Sequence, residues 1–316
     1  MKLRSLRRGA SAAVAAIALL VAATPAQAAP LPENFNFFGG IPFELTNPNG
    51  SLPGTNDYAC KPTARHPNPV VLVHGTGGGS QTNWGAYAPL LKNNGYCVFS
   101  FTYGALPGAP WPANQIGGTR PLAASAEQLK SVVERVLRST GASKVDLIGH
   151  SQGTLMPSYF VKYLGGAAKV GRYVSLAPLW RGTSADVGRA VSAFVRGLNV
   201  RDPYFPVFES IGDMLPGSRF LDKIWTGGTP YAAGVEYTNI STRYDELVLP
   251  YTSGQLEGPA GTRVTNIVVQ DTCGQDFSDH LAIAGSRRAA YFVLNALDPQ
   301  HPRAVPCYVV PPFFGA

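Results

Sequence analysis

The sequence predicts an α/β fold, a mostly parallel sheet with helices on both faces. Two observations carry this. Short unbroken apolar runs such as Val70–Val73 read as strands covered on both sides. Segments of helical apolar spacing alternate with them, the rhythm of strands joined by crossover helices.

In chain order, residues 30–69 are rich in Pro, Asn and Gly and read as an extended arm laid over a core. After Val70–Val73 the next strand is Cys97–Tyr103. A helix follows over Ser125–Ser139, with Leu129, Val132, Val133, Val136 and Leu137 at helical spacing, Ser125 as cap and Gly141 as stop. Lys144–Ile148 is a strand, Gln152–Leu164 a helix that Pro157 is expected to bend or delay, and Val170–Ala177 a strand. Residues 180–233 break the rhythm: Val187, Val191, Phe194, Val195 and Leu198 share one helical face, and Pro- and Gly-rich turns follow. This is a cap-like insertion rather than a second domain. The alternation resumes with Val235–Ser241, Arg263–Gln270 and a helix over His280–Ala296.

The chain has 316 residues, of which the first 28 read as a secretory signal peptide. Lys2, Arg4, Arg7 and Arg8 precede a nearly apolar stretch from Ala10 to Ala23, and Ala26-Gln27-Ala28 is a small-x-small cleavage site. The apolar stretch is too short and wrongly flanked for a spanning helix, so no integral membrane segment is expected. Arg7-Arg8 hints at twin-arginine export, but the residues after it suit ordinary secretion better. Without those four cations, 22 basic residues face 19 acidic ones, so the net charge of +7 falls to about +3. No basic run interleaved with aromatics occurs, which argues against nucleic acid as a partner. Residues 29–316 suit one large α/β domain whose core needs no metal.

Cys60, Cys97, Cys273 and Cys307 make an even count, which in an exported chain suggests two disulfides with three possible pairings. Cys60–Cys97 with Cys273–Cys307 is favoured. Each bond then closes a loop of about 35 residues, worth on the order of 3–4 kcal/mol in the chain-entropy model. No CxxC spacing exists and histidines are few, so no metal site and no cofactor are expected.

Gly149-His150-Ser151-Gln152-Gly153 matches G-x-S-x-G between a strand and a helix, the context in which a serine sits on a strained turn above the sheet. This places the chain in the α/β-hydrolase fold. A serine hydroxyl needs a base to take its proton, and in this topology acid and base follow it in that order. Only His280 and His301 lie beyond Ser151. His301, in a Pro-rich tail, reads as solvated, whereas His280 follows the last strand. Asp245, past the strand Val235–Ser241, is the candidate acid; Glu246 is expected to turn toward structure. Asp271, Asp276 and Asp279 are rivals, and the last two more plausibly shape the His280 loop. Four glycines in the five positions 75–79 fit neither a dinucleotide fingerprint, which needs glycine where Ser80 stands, nor a P-loop, which needs a lysine. They fit an oxyanion loop, with backbone N–H donors at Thr76 and Gln152 and the Thr76 hydroxyl as a third. His74 and His150 are expected to pack beneath the loops.

These motifs resemble the secreted bacterial class 2 lipases and, with them, the yeast lipase B type. The likeness runs through Cys60, Val73–Gly77 (Val-His-Gly-Thr-Gly), Asn93–Cys97 (Asn-Asn-Gly-Tyr-Cys) and Ser151–Gly153. It continues through Ala177–Thr183 (Ala-Pro-Leu-Trp-Arg-Gly-Thr), Tyr244–Val248, Thr272–Gly274, Asp279-His280 and Cys307. The resemblance implies Ser151, Asp245 and His280 as catalytic triad, Thr76 and Gln152 as oxyanion hole, and supports both disulfide pairings. The chain departs from the yeast type in having His74 for proline, His150 for tryptophan, and no extra cysteine pair.

The expected reaction is hydrolysis of a carboxylic ester, a small molecule or lipid at a lipid–water interface, through an acyl-serine. Tyr204, Phe205, Phe208, Met214, Leu215, Phe220, Ile224 and Trp225 of the insertion are candidates to wall an acyl cleft. A short-chain carboxylesterase, an acyltransferase and a polyester hydrolase share the same residues. A surface-binding protein on an inactive scaffold is the alternative outside enzymes. The sequence carries no sign of oligomeric state.

Overall fold

Among the described residues, six parallel strands form one sheet in the order β2-β1-β3-β4-β5-β6. The computed structural model describes residues 29–184, 186–188, 190, 193 and 208–316. The signal-peptide reading of residues 1–28 lies outside them. So do Val191, Phe194, Val195, Leu198, Tyr204 and Phe205 of the insertion.

The strands are β1 (Val70–Val73), β2 (Val98–Ser100), β3 (Val145–His150), β4 (Val170–Leu176), β5 (Glu236–Ser241) and β6 (Val264–Val268). Among the described residues, helices with defined bounds are α1 (Ile41–Thr46), α2 (Tyr87–Asn93), α3 (Leu122–Thr140), α4 (Gln152–Tyr163), α5 (Ser210–Asp213), α6 (Arg219–Ile224) and α7 (Arg287–Leu297). Alternate strand residues feed two cores, as the two-residue period of a strand requires. Val71, Val73, Val145, Leu147, Tyr173 and Tyr237 pack with Leu129, Val133 and Val136 of α3, Leu155 of α4, and Phe220 and Ile224 of α6. Val70, Leu72, Ile148, Val174, Leu176 and Ile240 face the other way, onto Leu90 and Leu91 of α2 and Ala290, Val293 and Leu294 of α7. Both faces are therefore covered, which is why β1 is apolar throughout rather than alternating.

Several boundaries differ from the sequence expectation. β2 ends at Ser100 because Thr102 and Tyr103 leave the ladder: the Thr102 hydroxyl accepts the Ser80 N–H at 2.9 Å, and the Tyr103 N–H donates to His74 Nε2 at 3.1 Å. α3 starts at Leu122, and Ser125 is a buried residue inside it. Asp213, from the insertion, accepts the Leu122 N–H at 2.8 Å and supplies the N-terminal partner that the local sequence lacks. Gly141 closes α3 in the left-handed conformation at φ 78°. α4 spans Pro157. The last helix begins at Arg287, not His280, because Gly285 packs bare against the backbone of Phe37 and Phe314 and Ser286 then caps the new helix, accepting the Ala289 N–H at 3.2 Å.

Disulfides join Cys60 to Cys97 and Cys273 to Cys307, with Cα–Cα distances of 5.8 and 5.5 Å. The first ties the N-terminal arm to the start of β2. The second ties the loop before His280 to the C-terminal tail. Among the described residues no helix is long and apolar enough to cross a membrane.

One of the tightest backbone approaches is at Gly153, where a Cβ would stand 2.0 Å from the Val73 carbonyl oxygen. Backbone cannot yield as a side chain can. Gly153→Ala is therefore expected to destabilise the protein by about 2–3 kcal/mol or more, read as a drop in thermal midpoint; an unchanged midpoint contradicts this packing.

Candidate active site

Because the sheet is wholly parallel, the loops after β1, β3, β5 and β6 leave from one edge, the edge where α/β proteins bind ligands. The loop after β1 carries Thr76, the turn after β3 carries Ser151, and Asp245 and His280 follow β5 and β6.

Ser151 sits at φ 54°, ψ −123°, a conformation rare for a residue with a side chain. Its N–H donates to the Leu176 carbonyl at 3.0 Å, and its carbonyl accepts the Thr154 hydroxyl at 2.7 Å. The Ser151 hydroxyl and His280 Nε2 are 2.7 Å apart. His280 Nδ1–H donates to Asp245, at 2.8 Å to Oδ1 and 3.0 Å to Oδ2. Asp245 Oδ1 also accepts the N–H groups of Leu247 (3.0 Å) and Val248 (2.7 Å). Serine, imidazole and carboxylate thus form one hydrogen-bonded chain.

Burial alone would depress the His280 pKa, but the charge and hydrogen bond of Asp245 outweigh it, and the net direction is upward from 6.5. Burial pushes the Asp245 carboxyl up, while His280 and the two backbone donors pull it further down, so it lies below 3.8. His74 and His150 behave oppositely. Fully buried without a carboxylate partner, they fall to about 4 and about 3.

The N–H groups of Thr76 and Gln152 have no protein acceptor among the described residues. Gly75 packs bare beside the Ser151 side chain, and Gly77 turns the loop at φ 74°. Their freedom brings backbone donors within reach of a group bound at Ser151.

The other expectations divide. His74 does pack under the loops, its ring stacked on Tyr103 at 4.1 Å between centroids. His150 does more than that. It lines the cleft, and its Nε2–H donates to the His280 carbonyl at 2.8 Å. Burial keeps this ring neutral, and its single proton goes to the shorter contact, since Nδ1 lies 3.2 Å from Asn83 Oδ1. Glu246 turns toward structure, accepting the His280 N–H at 3.2 Å. Asp271 pairs with Arg243 on the surface, Asp276 binds Ser278, and Asp279 accepts the N–H groups of Leu281, Ala282 and Phe313. His301 is exposed and bonded to Asp298.

A cleft of about 430 Å³ opens over Ser151. One wall is Leu179, Val187, Ile211, Met214 and Leu247; the other is Phe37, Phe38 and Ile41 with Pro112 and Ile116. Of the insertion residues expected to wall it, Met214 does. Phe220 and Ile224 belong to the core, and Trp225 lines a separate depression beside Arg181. The α1 wall was not foreseen, since six residues are too few to carry a periodic signal. Among the described residues no cluster of His, Cys, Asp and Glu is arranged to hold a metal.

The fold and the geometry at this edge define an α/β-hydrolase. The sequence matches the class 2 lipase family over residues 67–281, and the chain belongs to that family. It is 33% identical over 96 residues to a triacylglycerol lipase of Pseudarthrobacter phenanthrenivorans, a stretch covering 29% of this chain and 27% of that one. A triacylglycerol lipase of Burkholderia plantarii matches at 33% over 96 residues, 29% of this chain and 24% of that one. The matched stretch thus spans about a quarter of the length of these curated relatives. Among solved structures, lipase B of Aspergillus fumigatus superposes with a TM-score of 0.57 at 19% identity, over 81% of this chain and 57% of that one. A mature lipase of Bacillus licheniformis does so at 0.51 and 14%, over 79% and 95%.

The electrostatics predict distinct titrations. By NMR, His280 is expected to titrate with a midpoint above 6.5, and Asp245→Asn to lower it, because the carboxylate charge is lost while burial remains. His74 and His150 are expected to stay largely neutral at pH 5. A His280 midpoint below 6.5 contradicts the pairing.

Proposed function

We propose that this protein hydrolyses carboxylic esters with apolar acyl chains, acylglycerols among them, through an acyl-enzyme on Ser151. The observation that carries this reading is the unbroken hydrogen-bonded chain from Ser151 through His280 to Asp245 on the floor of an apolar-walled cleft.

His280 Nε2 takes the hydroxyl proton as Oγ attacks the ester carbonyl carbon. Asp245 holds Nδ1–H, which keeps the Nε2 lone pair facing Ser151 and stabilises the imidazolium that forms. The negative charge on the carbonyl oxygen falls to the Thr76 and Gln152 N–H groups, and removing one such donor typically costs about 3–4 kcal/mol of barrier. The imidazolium then protonates the leaving alkoxide, and the C–O bond breaks. Water repeats the sequence: His280 takes its proton, the hydroxide attacks the acyl-serine, and the acid departs as Oγ recovers the proton. No step calls for a cofactor.

The acyl chain lies under the insertion, along Leu179, Val187, Ile211, Met214 and Leu247. Similarity to two proteins named triacylglycerol lipases supports the same substrate class. At the cleft lip Phe38 and Ile41 are partly exposed, Phe43 and Leu45 of α1 are exposed as well, and Phe314 meets Phe38 ring to ring at 5.8 Å. Such a lip suits a lipid–water interface. Two disulfides and the N-terminal pattern favour export to an oxidising compartment.

A fluorophosphonate probe is expected to label the wild type and not Ser151→Ala. A p-nitrophenyl ester series is expected to peak at short to medium acyl chains, with emulsified triglyceride also cleaved. Because the base works neutral and its pKa is raised, kcat/KM is expected to fall on acidification with a midpoint above 6.5. An unlabelled wild type, or no rate on any ester, sinks the proposal.

A further inference from the structure

A threonine hydroxyl both donates and accepts, and it rotates to suit its surroundings. Whether the Thr76 hydroxyl aims its proton into the cleft therefore depends on what else it touches. Resting on the ester-hydrolase reading above, we propose that the side chain of Gln152 is a positioning residue that fixes this hydroxyl as a donor toward the reacting oxygen. Gln152 then acts twice, by its backbone N–H and through Thr76.

The hydrogen bonds leave little freedom. Gln152 Nε2 lies 3.0 Å from the Gly118 carbonyl oxygen and 3.0 Å from Thr76 Oγ1. A carbonyl can only accept, so the amide nitrogen faces it. The Tyr103 hydroxyl lies 3.0 Å from Gln152 Oε1 and 2.7 Å from the His74 carbonyl oxygen, so its one proton is shared between two acceptors, and the Gly118 carbonyl is what fixes the amide's orientation. The two oxygens at 3.0 Å take the two hydrogens of Nε2, one to Gly118 and one to Thr76, while the Met214 sulfur, a weak acceptor, stands farther off at 3.8 Å. The Thr76 oxygen is thereby an acceptor, and its own proton has no acceptor among the described residues. Thr76 is half-buried and lines the cleft beside Ser151, so the open direction is the cleft.

The amide is itself held on three sides. Gly118 approaches bare, at φ 64°, where a Cβ would stand 2.7 Å from Gln152 Oε1 and 3.1 Å from the Thr76 Cα. Its carbonyl also accepts the Ser210 hydroxyl at 2.6 Å, and the Ser210 N–H donates to the Thr119 carbonyl at 3.1 Å, so α5 of the insertion braces the same strand of chain. Tyr103, wholly buried and stacked on His74, anchors the far edge of the amide. A donor fixed before the reaction needs no reorganisation as charge develops. The side chain of Gln152 and the phenol of Tyr103 thus belong to the oxyanion machinery without reaching the substrate.

A double-mutant cycle on the full chain tests this, using Gln152→Leu, Thr76→Val and the pair, with a p-nitrophenyl ester as substrate. Every variant retains the backbone donors. Each single change is expected to lower kcat about 10-fold or more, with KM changed less than about 3-fold, because only transition-state binding is lost. In the Thr76→Val background, Gln152→Leu is expected to cost less than about 2-fold, since it acts through a hydroxyl already gone. Thr76→Ser, which keeps the hydroxyl, is expected to retain most activity. Thermal midpoints identify unfolding. If Gln152→Leu does not fold, Tyr103→Phe replaces it in the cycle, with a smaller loss of kcat that likewise vanishes beside Thr76→Val. An active wild type whose two losses multiply, or a Gln152→Leu enzyme with unchanged kcat, overturns this inference alone. A wild type that cleaves no ester overturns it together with the reading beneath it.

Discussion

Ser151 occupies a backbone conformation that costs on the order of 1–3 kcal/mol, and the rest of the site is arranged around the turn that holds it there. The strain persists because the turn has no room to relax. Gly153 is pressed onto the Val73 backbone, the Ser151 N–H is tied to β4, and Thr154 ties its carbonyl. The consequence is a side chain lifted off the sheet edge, at the start of a helix with no side-chain cap, where the Gln152 N–H has no acceptor among the described residues. A relaxed turn would lay the hydroxyl back along the strand, out of reach of an imidazole from another loop.

That imidazole arrives on a loop with little regular structure, so it is held by side chains and covalent bonds. The Cys273–Cys307 disulfide joins the loop to the C-terminal tail, and the tail pairs with it through the Phe277 N–H and the Val310 carbonyl. Asp279 accepts three backbone donors, one of them Phe313 of the tail. Glu246 and His150 hold the N–H and carbonyl of His280 itself. Two neighbouring histidines thereby differ in electrostatic state. His280 has a carboxylate partner and gains basicity; His150 has only neutral partners and loses it.

The same economy shapes the cleft. Its apolar walls come from two segments that look unlike core in the sequence, the N-terminal arm with α1 and the insertion around α5. The insertion is also wired into the scaffold, since Asp213 completes the N-terminus of α3 and Ser210 bonds to Gly118. One short segment therefore contributes wall, helix cap and support for the loop beside Thr76.

Much of the sheet was legible beforehand, because a strand buried on both faces must be apolar along its whole length and because G-x-S-x-G between strand and helix has a narrow structural meaning. Ser151, Asp245 and His280 were legible as a group through their order along the chain and their positions after strands. Two disulfides were legible from the cysteine count, and the pairing favoured among three, which the family resemblance supported, is the one that forms. The role of α1, the cap that Asp213 gives α3, the break at Gly285 and the bond from His150 to His280 were not. Each joins residues distant in sequence, and no local period or motif records such a meeting. The sequence by itself determined which elements form and which chemical groups follow them. Only the tertiary structure decided which donor faces which acceptor, because a hydrogen bond depends on distances of a few tenths of an ångström that arise when both cores are packed.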